Sequence, residues 1–356
     1  MHFICLFRAL LIVFFLFFIS PTFARQADTS GRPTPFLLVS GAADVYYRYD
    51  PARTASNALT SFTRSENLVE LNTAQIKLEH RTSLIDMVAD LAAGPRQNEY
   101  AGTDKGIAKF IRQLYISYSP LAWLKFTGGT WATHLCYESP DASANRNYSM
   151  SYLFSNDPFS HMGIKAEVSL GSHGFMVGVA NPCNYRAIPD SGRCNKNIIA
   201  QYSYTVGDRL KISLNYQGGR DIVDNRSHQY DVVFTAKISS LFSLGWNATV
   251  QRSSMAVEKY QISRSWYGSA VYVNYDPKKW LGVTVRTEYF NDKQGVCLPA
   301  PASVLETTLS ANLKAWNFTV IPEFRIDHAD NPIFFHASGS PATTAGSFLL
   351  AAVFSF

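Results

Sequence analysis

The last ten residues read Ser347-Phe348-Leu349-Leu350-Ala351-Ala352-Val353-Phe354-Ser355-Phe356. Phe348, Leu350, Ala352, Phe354 and Phe356 fall on one side of a period-two pattern, with Ser347 and Ser355 on the other. Soluble chains rarely finish on an aromatic with no polar tail, because termini are usually exposed and frayed. A strand that closes an outer-membrane barrel, with its final aromatic in the interfacial girdle, finishes this way. Leu349 and Val353 break the alternation on the supposed inner side, so the ending gains its force from the rest of the chain.

The same period recurs upstream. Leu210, Ile212, Leu214 and Tyr216 oppose Arg209, Lys211, Ser213, Asn215 and Gln217, and residues 162–170 and 229–239 repeat the pattern. Nine or so alternating residues give one apolar and one polar face and match a tilted strand crossing a bilayer. About sixteen such segments can be drawn, in keeping with the even strand counts of bacterial barrels. Short connections such as 81–83, 171–172 and 206–208 alternate with long ones at 51–67, 94–106, 133–161, 182–196, 218–228, 252–265, 291–303 and 328–346. Short periplasmic turns and long external loops are the mark of outer-membrane barrels. The expected fold is therefore all-β: a transmembrane antiparallel up-and-down barrel of about 16 strands, within a range of about 12–18. Pro322, inside the segment 317–327, cannot donate to a ladder and predicts a bulge there.

The start of the chain fits export. His2 and Arg8 precede the apolar run LLIVFFLFFI at 10–19, and Thr22-Phe23-Ala24 offers a cleavage site. That run is too short to span about 30 Å of hydrocarbon. The expected organisation is a signal peptide over 1–24, a polar lead-in over 25–36 and one barrel over 37–356. Removing the leader, with Arg8 as its one full charge, lowers the formal net charge from +5 to +4. A charge that small and dispersed argues against nucleic-acid binding. The expected location is the outer membrane of a gram-negative-type envelope, with lipid as a partner.

Charges cannot face lipid cheaply: a Lys or Arg near the midplane costs about 2–4 kcal/mol. Lys77, Lys165, Lys211, Lys237, Arg286 and Arg325 therefore belong inside the barrel or near an interface, and a lumen so lined is hydrated. The longest loop, 133–161, is polar at first and then aromatic from Tyr148 to Phe154. Such a loop either folds into the lumen and narrows it or packs outside on its neighbours, and the residues alone leave both open; inside the lumen, leaving water would set Tyr148, Tyr152 and Phe154 on the inner wall. Glu138 and Asp141 could then oppose basic residues across the constriction and set up a transverse field. The candidate pore-lining set is Arg112, Lys125, Glu138, Asp141, Lys165, Lys211 and Arg286. Cys183 and Cys194 share one long loop in an oxidising compartment and are expected to form a disulfide, worth roughly 2–4 kcal/mol. Cys136 and Cys297 sit in other loops.

A family comes into view in the same loop. Tyr137-Glu138-Ser139, Asp141 and Asn145-Arg146-Asn147-Tyr148-Ser149-Met150-Ser151, with Gly41-Ala42-Ala43-Asp44-Val45-Tyr46-Tyr47 and Gly128-Gly129-Thr130-Trp131, resemble the OmpL-like β-barrel porin family. The resemblance implies an outer-membrane barrel and a pore, and adds location more than chemistry. The leading function is passive diffusion of small hydrophilic solutes or ions, with no cofactor and no metal, and with a homo-oligomer by analogy. A binding or adhesion barrel is the alternative. A barrel hydrolase is a weaker one, since histidines from His80 to His336 lie near Ser, Asp or Glu only as chance would place them. A plugged active transporter needs a larger chain.

Overall fold

The computed structural model describes residues 36–102, 104–182, 195–221, 224–257 and 260–356. The expected signal peptide, most of the lead-in and the Cys183–Cys194 pair lie outside the described residues.

The first eight strands are β1 (Phe36–Tyr49), β2 (Leu68–Arg81), β3 (Ile85–Ala93), β4 (Ile111–Leu121), β5 (Leu124–Ala132), β6 (Ser160–Leu170), β7 (His173–Ala180) and β8 (Asn197–Val206). The second eight are β9 (Leu210–Arg220), β10 (Arg226–Lys237), β11 (Phe242–Val257), β12 (Tyr260–Lys278), β13 (Leu281–Asp292), β14 (Ala302–Ala315), β15 (Phe318–Ala329) and β16 (Thr344–Ser355). Each pairs antiparallel with its sequence neighbour, and β1 pairs with β16, so the sheet is a closed barrel with no free edge. Closure satisfies every strand's backbone groups within hydrocarbon, where an open edge would cost several kcal/mol per group.

The terminal aromatic secures the seam. Phe356 and Gly41 exchange backbone hydrogen bonds of 3.0 and 3.1 Å. A Cβ on Gly41 would lie 2.7 Å from the Phe356 ring, so the close approach requires glycine there. The outward face is apolar: Leu214, Phe348, Leu350 and Phe354 are all exposed, to lipid in a membrane. Trp123, Trp280 and Trp316 sit at short turns, where amphipathic rings suit the interface.

Two expectations change. Strands β11 and β12 are 16 and 19 residues long, and their ladder continues from Arg252↔Ser265 to Val257↔Tyr260, so the expected long loop at 252–265 is mostly hairpin. Polar residues on both faces hide the alternation there. Likewise β9 and β10 extend the ladder to Arg220↔Arg226, well into the expected loop 218–228. Pro322 causes no bulge. It pairs with Leu350 of β16, while pairing to β14 lapses between Ser310↔Glu323 and Leu313↔Val320 without a change of register.

Candidate functional site

The period-two pattern puts Asp44, Arg286, Glu288, Glu306 and Glu323 on the inner face. Loop 133–159, between β5 and β6, lies against that face. Its entry is shaped by Gly129, whose φ of +134° and whose Cβ position, 2.2 Å from the Leu114 carbonyl oxygen, exclude a side chain. Thr133 N–H then donates to the Phe159 carbonyl at 3.0 Å, closing the base of the loop.

From there the loop touches the wall repeatedly. Cys136 N–H donates to Asp231 of β10 at 3.2 Å, and the Tyr137 ring stacks on Tyr272 of β12 at 4.1 Å. Glu138 pairs with Arg286 at 2.6 Å. The Pro140 carbonyl accepts from Arg96 at 3.1 Å and from Arg112 at 2.6 Å. Asn147 donates to Ser310 at 2.7 Å, and the Tyr148 hydroxyl donates to Asp44.

Two carboxylates hold the aromatic stretch. Glu323 accepts the consecutive N–H groups of Tyr148 and Ser149 at 2.7 and 3.1 Å. Glu288 accepts those of Tyr152 and Leu153, both at 2.7 Å. Hydrogen bonds to a charged acceptor contribute about 1.5–3 kcal/mol each. Between these clamps, Glu138 accepts both the N–H and the hydroxyl of Ser151 at 2.8 Å. Ser151 in turn caps the short helix α1 (Tyr152–Asn156) by accepting from the Phe154 N–H.

The loop's apolar groups fill the gaps between clamps. Tyr148 and Ala142 pack with Tyr46, Ile321, Leu349, Ala351 and Val353. Leu349 and Val353, which break the alternation of the last strand, are thus the wall beneath Tyr148. Tyr152 and Leu153 pack with Trp266, Ala270, Tyr272 and Phe290, and Phe154 packs with Phe62, Tyr100, Met150 and Phe159. Burial pushes the Tyr148 and Tyr152 hydroxyls up and lifts the Asp157 carboxyl well above the usual carboxylate range. It also lowers His134 to about 4.

The candidate pore-lining residues divide into two groups. Glu138 and Arg286 are in contact and buried, with Glu306 also on Arg286 at 3.0 Å. Arg112 and Asp141 are in contact at 3.1 Å. These opposite charges meet directly instead of facing each other across water, because burial without a partner would be too costly. Lys125, Lys165 and Lys211 lie on the β5–β9 arc, away from that network. Lys165 pairs with Glu167 at 3.2 Å and sits over the Trp131 ring at 5.2 Å. Lys125 is half-buried and Lys211 exposed. Sequence reasoning missed Glu288, Glu323 and Glu306; their inner-face parity was visible, but their loop partners were not. Cys136 and Cys297 are free thiols. Among the described residues, no cluster of metal-ligating side chains occurs.

The family model for putative beta-barrel porin-2, OmpL-like, matches residues 37–356. The chain belongs to this porin family. It is accordingly a passive diffusion channel of the outer membrane. No curated protein matches it in sequence. Solved structures share the fold. An anion-selective porin from Comamonas acidovorans superposes with a TM-score of 0.63 at 10% identity, over 91% of this chain and 100% of that one. The trimer form of in-vitro folded OmpT of Vibrio cholerae gives 0.59 at 11%, over 91% and 100%. OmpF of Salmonella typhi in complex with daunomycin gives 0.56 at 12%, over 90% and 97%.

Proposed function

We propose that loop 133–161 narrows a water-filled lumen and that the channel passes small hydrophilic solutes by diffusion, without catalysis. The observation that carries this reading is the double clamp of Glu323 and Glu288, which fixes the loop's aromatic stretch at two points on the inner face. A constriction must hold its shape to select by size, and charge-assisted bonds to backbone amides supply that rigidity. The same bonds speak against a hydrolase, since carboxylates engaged by loop amides are not free to activate water. The pore-lining role extends to Lys125, Lys165 and Lys211, which the clamped loop leaves uncovered. One similar structure is described as a trimer, and we extend self-association to this chain as a homo-oligomer.

Deleting residues 138–154 tests the constriction. Single-channel conductance in planar bilayers rises and larger solutes enter if the loop narrows the lumen. Unchanged conductance in a barrel shown to be folded overturns the constriction. No conductance from the intact protein overturns the pore itself and favours a binding barrel.

A further inference from the structure

The loop touches β1, β2, β4 and β10–β16 by side-chain or amide contacts, but among the described residues its hydrogen bonds to the β5–β9 arc are at its base, where Thr133 meets His161 and His134 meets Tyr216 and Gln201. The periplasmic half of that arc is therefore the wall left open to solvent. Its charges are unequal. Lys165 is matched by Glu167 at 3.2 Å and Lys237 by Asp208 at 2.8 Å. At the arc's flank Glu79 pairs with both Lys77 and Arg81, and Asp86 faces Arg81 across the β2–β3 ladder. Among the described residues, Lys125 and Lys211 form no ion pair. Glu167 is opposite Lys125 in register but is taken by Lys165.

Both lysines share the inner-face parity of buried neighbours, Thr127 for Lys125 and Ser213 for Lys211. Each also lies one or two residues from a short turn, at the periplasmic mouth. Lys211 borders a cavity of about 340 Å³, lined also by Asp208, Arg209 and Lys237 and reached by Tyr137 of the loop. That cavity holds three cationic side chains to one carboxylate. On the opposite wall Asp276 is paired with Arg146 at 2.9 Å, and Glu288, Glu323 and Asp44 are buried beneath the loop instead of facing the open lumen.

Building on the pore reading above, we propose that the channel prefers small anions, inorganic or carboxylate, and that Lys125 and Lys211 set this preference. The recognition is electrostatic and needs no fixed binding site. A unit charge about 7 Å away in water is worth about one RT, so each lysine enriches an anion and depletes a cation by about threefold. The effect fades once the Debye length falls from about 10 Å at 0.1 M to about 3 Å at 1 M.

The test is the reversal potential of the purified, folded protein in planar bilayers under a KCl gradient near 0.1 M. Chloride is expected to be favoured over potassium. In Lys125→Gln/Lys211→Gln the ratio is expected to fall by about sevenfold: two charges each acting on both ions give about 4 RT unscreened, and the roughly 10 Å Debye length at 0.1 M halves it. Lys105→Gln, an exposed change on the loop side, is expected to leave it as it was. Selectivity for potassium in the intact protein, or a ratio unmoved by the double substitution, overturns the inference while leaving the pore intact. Absence of conductance in the intact protein overturns the pore reading on which it rests.

Discussion

Glu138→Gln isolates what holds the loop. One Glu138 oxygen takes the Arg286 Nη1 at 2.6 Å, and the other accepts the Ser151 N–H and hydroxyl, both at 2.8 Å. The side chain is only 3% exposed, so water cannot replace a lost partner. Glutamine keeps the shape but offers one acceptor oxygen, and its NH2 must then face either Arg286 or the Ser151 donors. At least one charge-assisted bond, worth about 1.5–3 kcal/mol, becomes a donor meeting a donor. Arg286 keeps Glu306 at 3.0 Å, so the loss stays below the roughly 3–5 kcal/mol of a buried charge left alone. A cost of about 2–3 kcal/mol raises the population of the released loop about 30- to 150-fold, at about 1.4 kcal/mol per decade. Hydrogen exchange read by mass spectrometry on peptides covering 146–156 is expected to accelerate by that factor, with the strands of the barrel unchanged. Exchange at the wild-type rate, in a variant that still runs as a folded, heat-modifiable barrel, refutes the assignment of Glu138 as a lock.

Three further outcomes are expected. Leu214→Arg puts a charge against lipid at about 2–4 kcal/mol near the midplane and is expected to block assembly, whereas Thr205→Arg, on the inner face, assembles normally in a heat-modifiability assay. Gly129→Ala is expected to impair assembly, because a Cβ there meets the Leu114 carbonyl at 2.2 Å and φ is +134°; recovery of folded barrel at the wild-type yield counts against the loop-entry geometry. His134 is held neutral by burial, with its pKa lowered to about 4. A depressed histidine favours the seated loop above its free value of about 6.5, and that contribution is lost as pH falls toward 4. Loop exchange is therefore expected to quicken between those values, and His134→Gln, which can still donate to the Tyr216 carbonyl, is expected to weaken the dependence, with the double change that also replaces His161, 5.0 Å away, removing it.

The barrel was legible because lipid imposes a rule that each strand obeys locally. In Leu210 to Gln217 the alternation alone assigns Leu214 outward and Ser213, Asn215 and Gln217 inward, as the structure has them. The rule fails where lipid no longer faces the strand. Beyond the bilayer β11 and β12 continue with polar residues on both faces, and hydrogen bonding between neighbours, not burial, keeps them paired. The loop was legible as a segment but not in its contacts. Its clamps come from Glu288 and Glu323, which lie 136 and 175 residues from the amides they accept, and no local pattern spans such distances.

One local signal did point to the landing place. A hydrated lumen gives an inner-face Leu or Val no apolar partner, so Leu349 and Val353 are out of place if the inner face is wet along its whole length. They become intelligible once something apolar covers them, and the structure supplies Tyr148 and Ala142 from the loop. Ile321 of β15 belongs to the same patch, two strands' worth of inner wall made apolar at one height. Apolar residues at inner positions of adjacent barrel strands therefore mark where a loop or a partner must sit. By the same reasoning the polar inner positions in the periplasmic half of β5–β9, among them Lys125 and Lys211, mark the wall that stays open to water and solute, whereas Trp131, Met176, Ala180 and Ile199 form a buried apolar cluster on the rest of that arc.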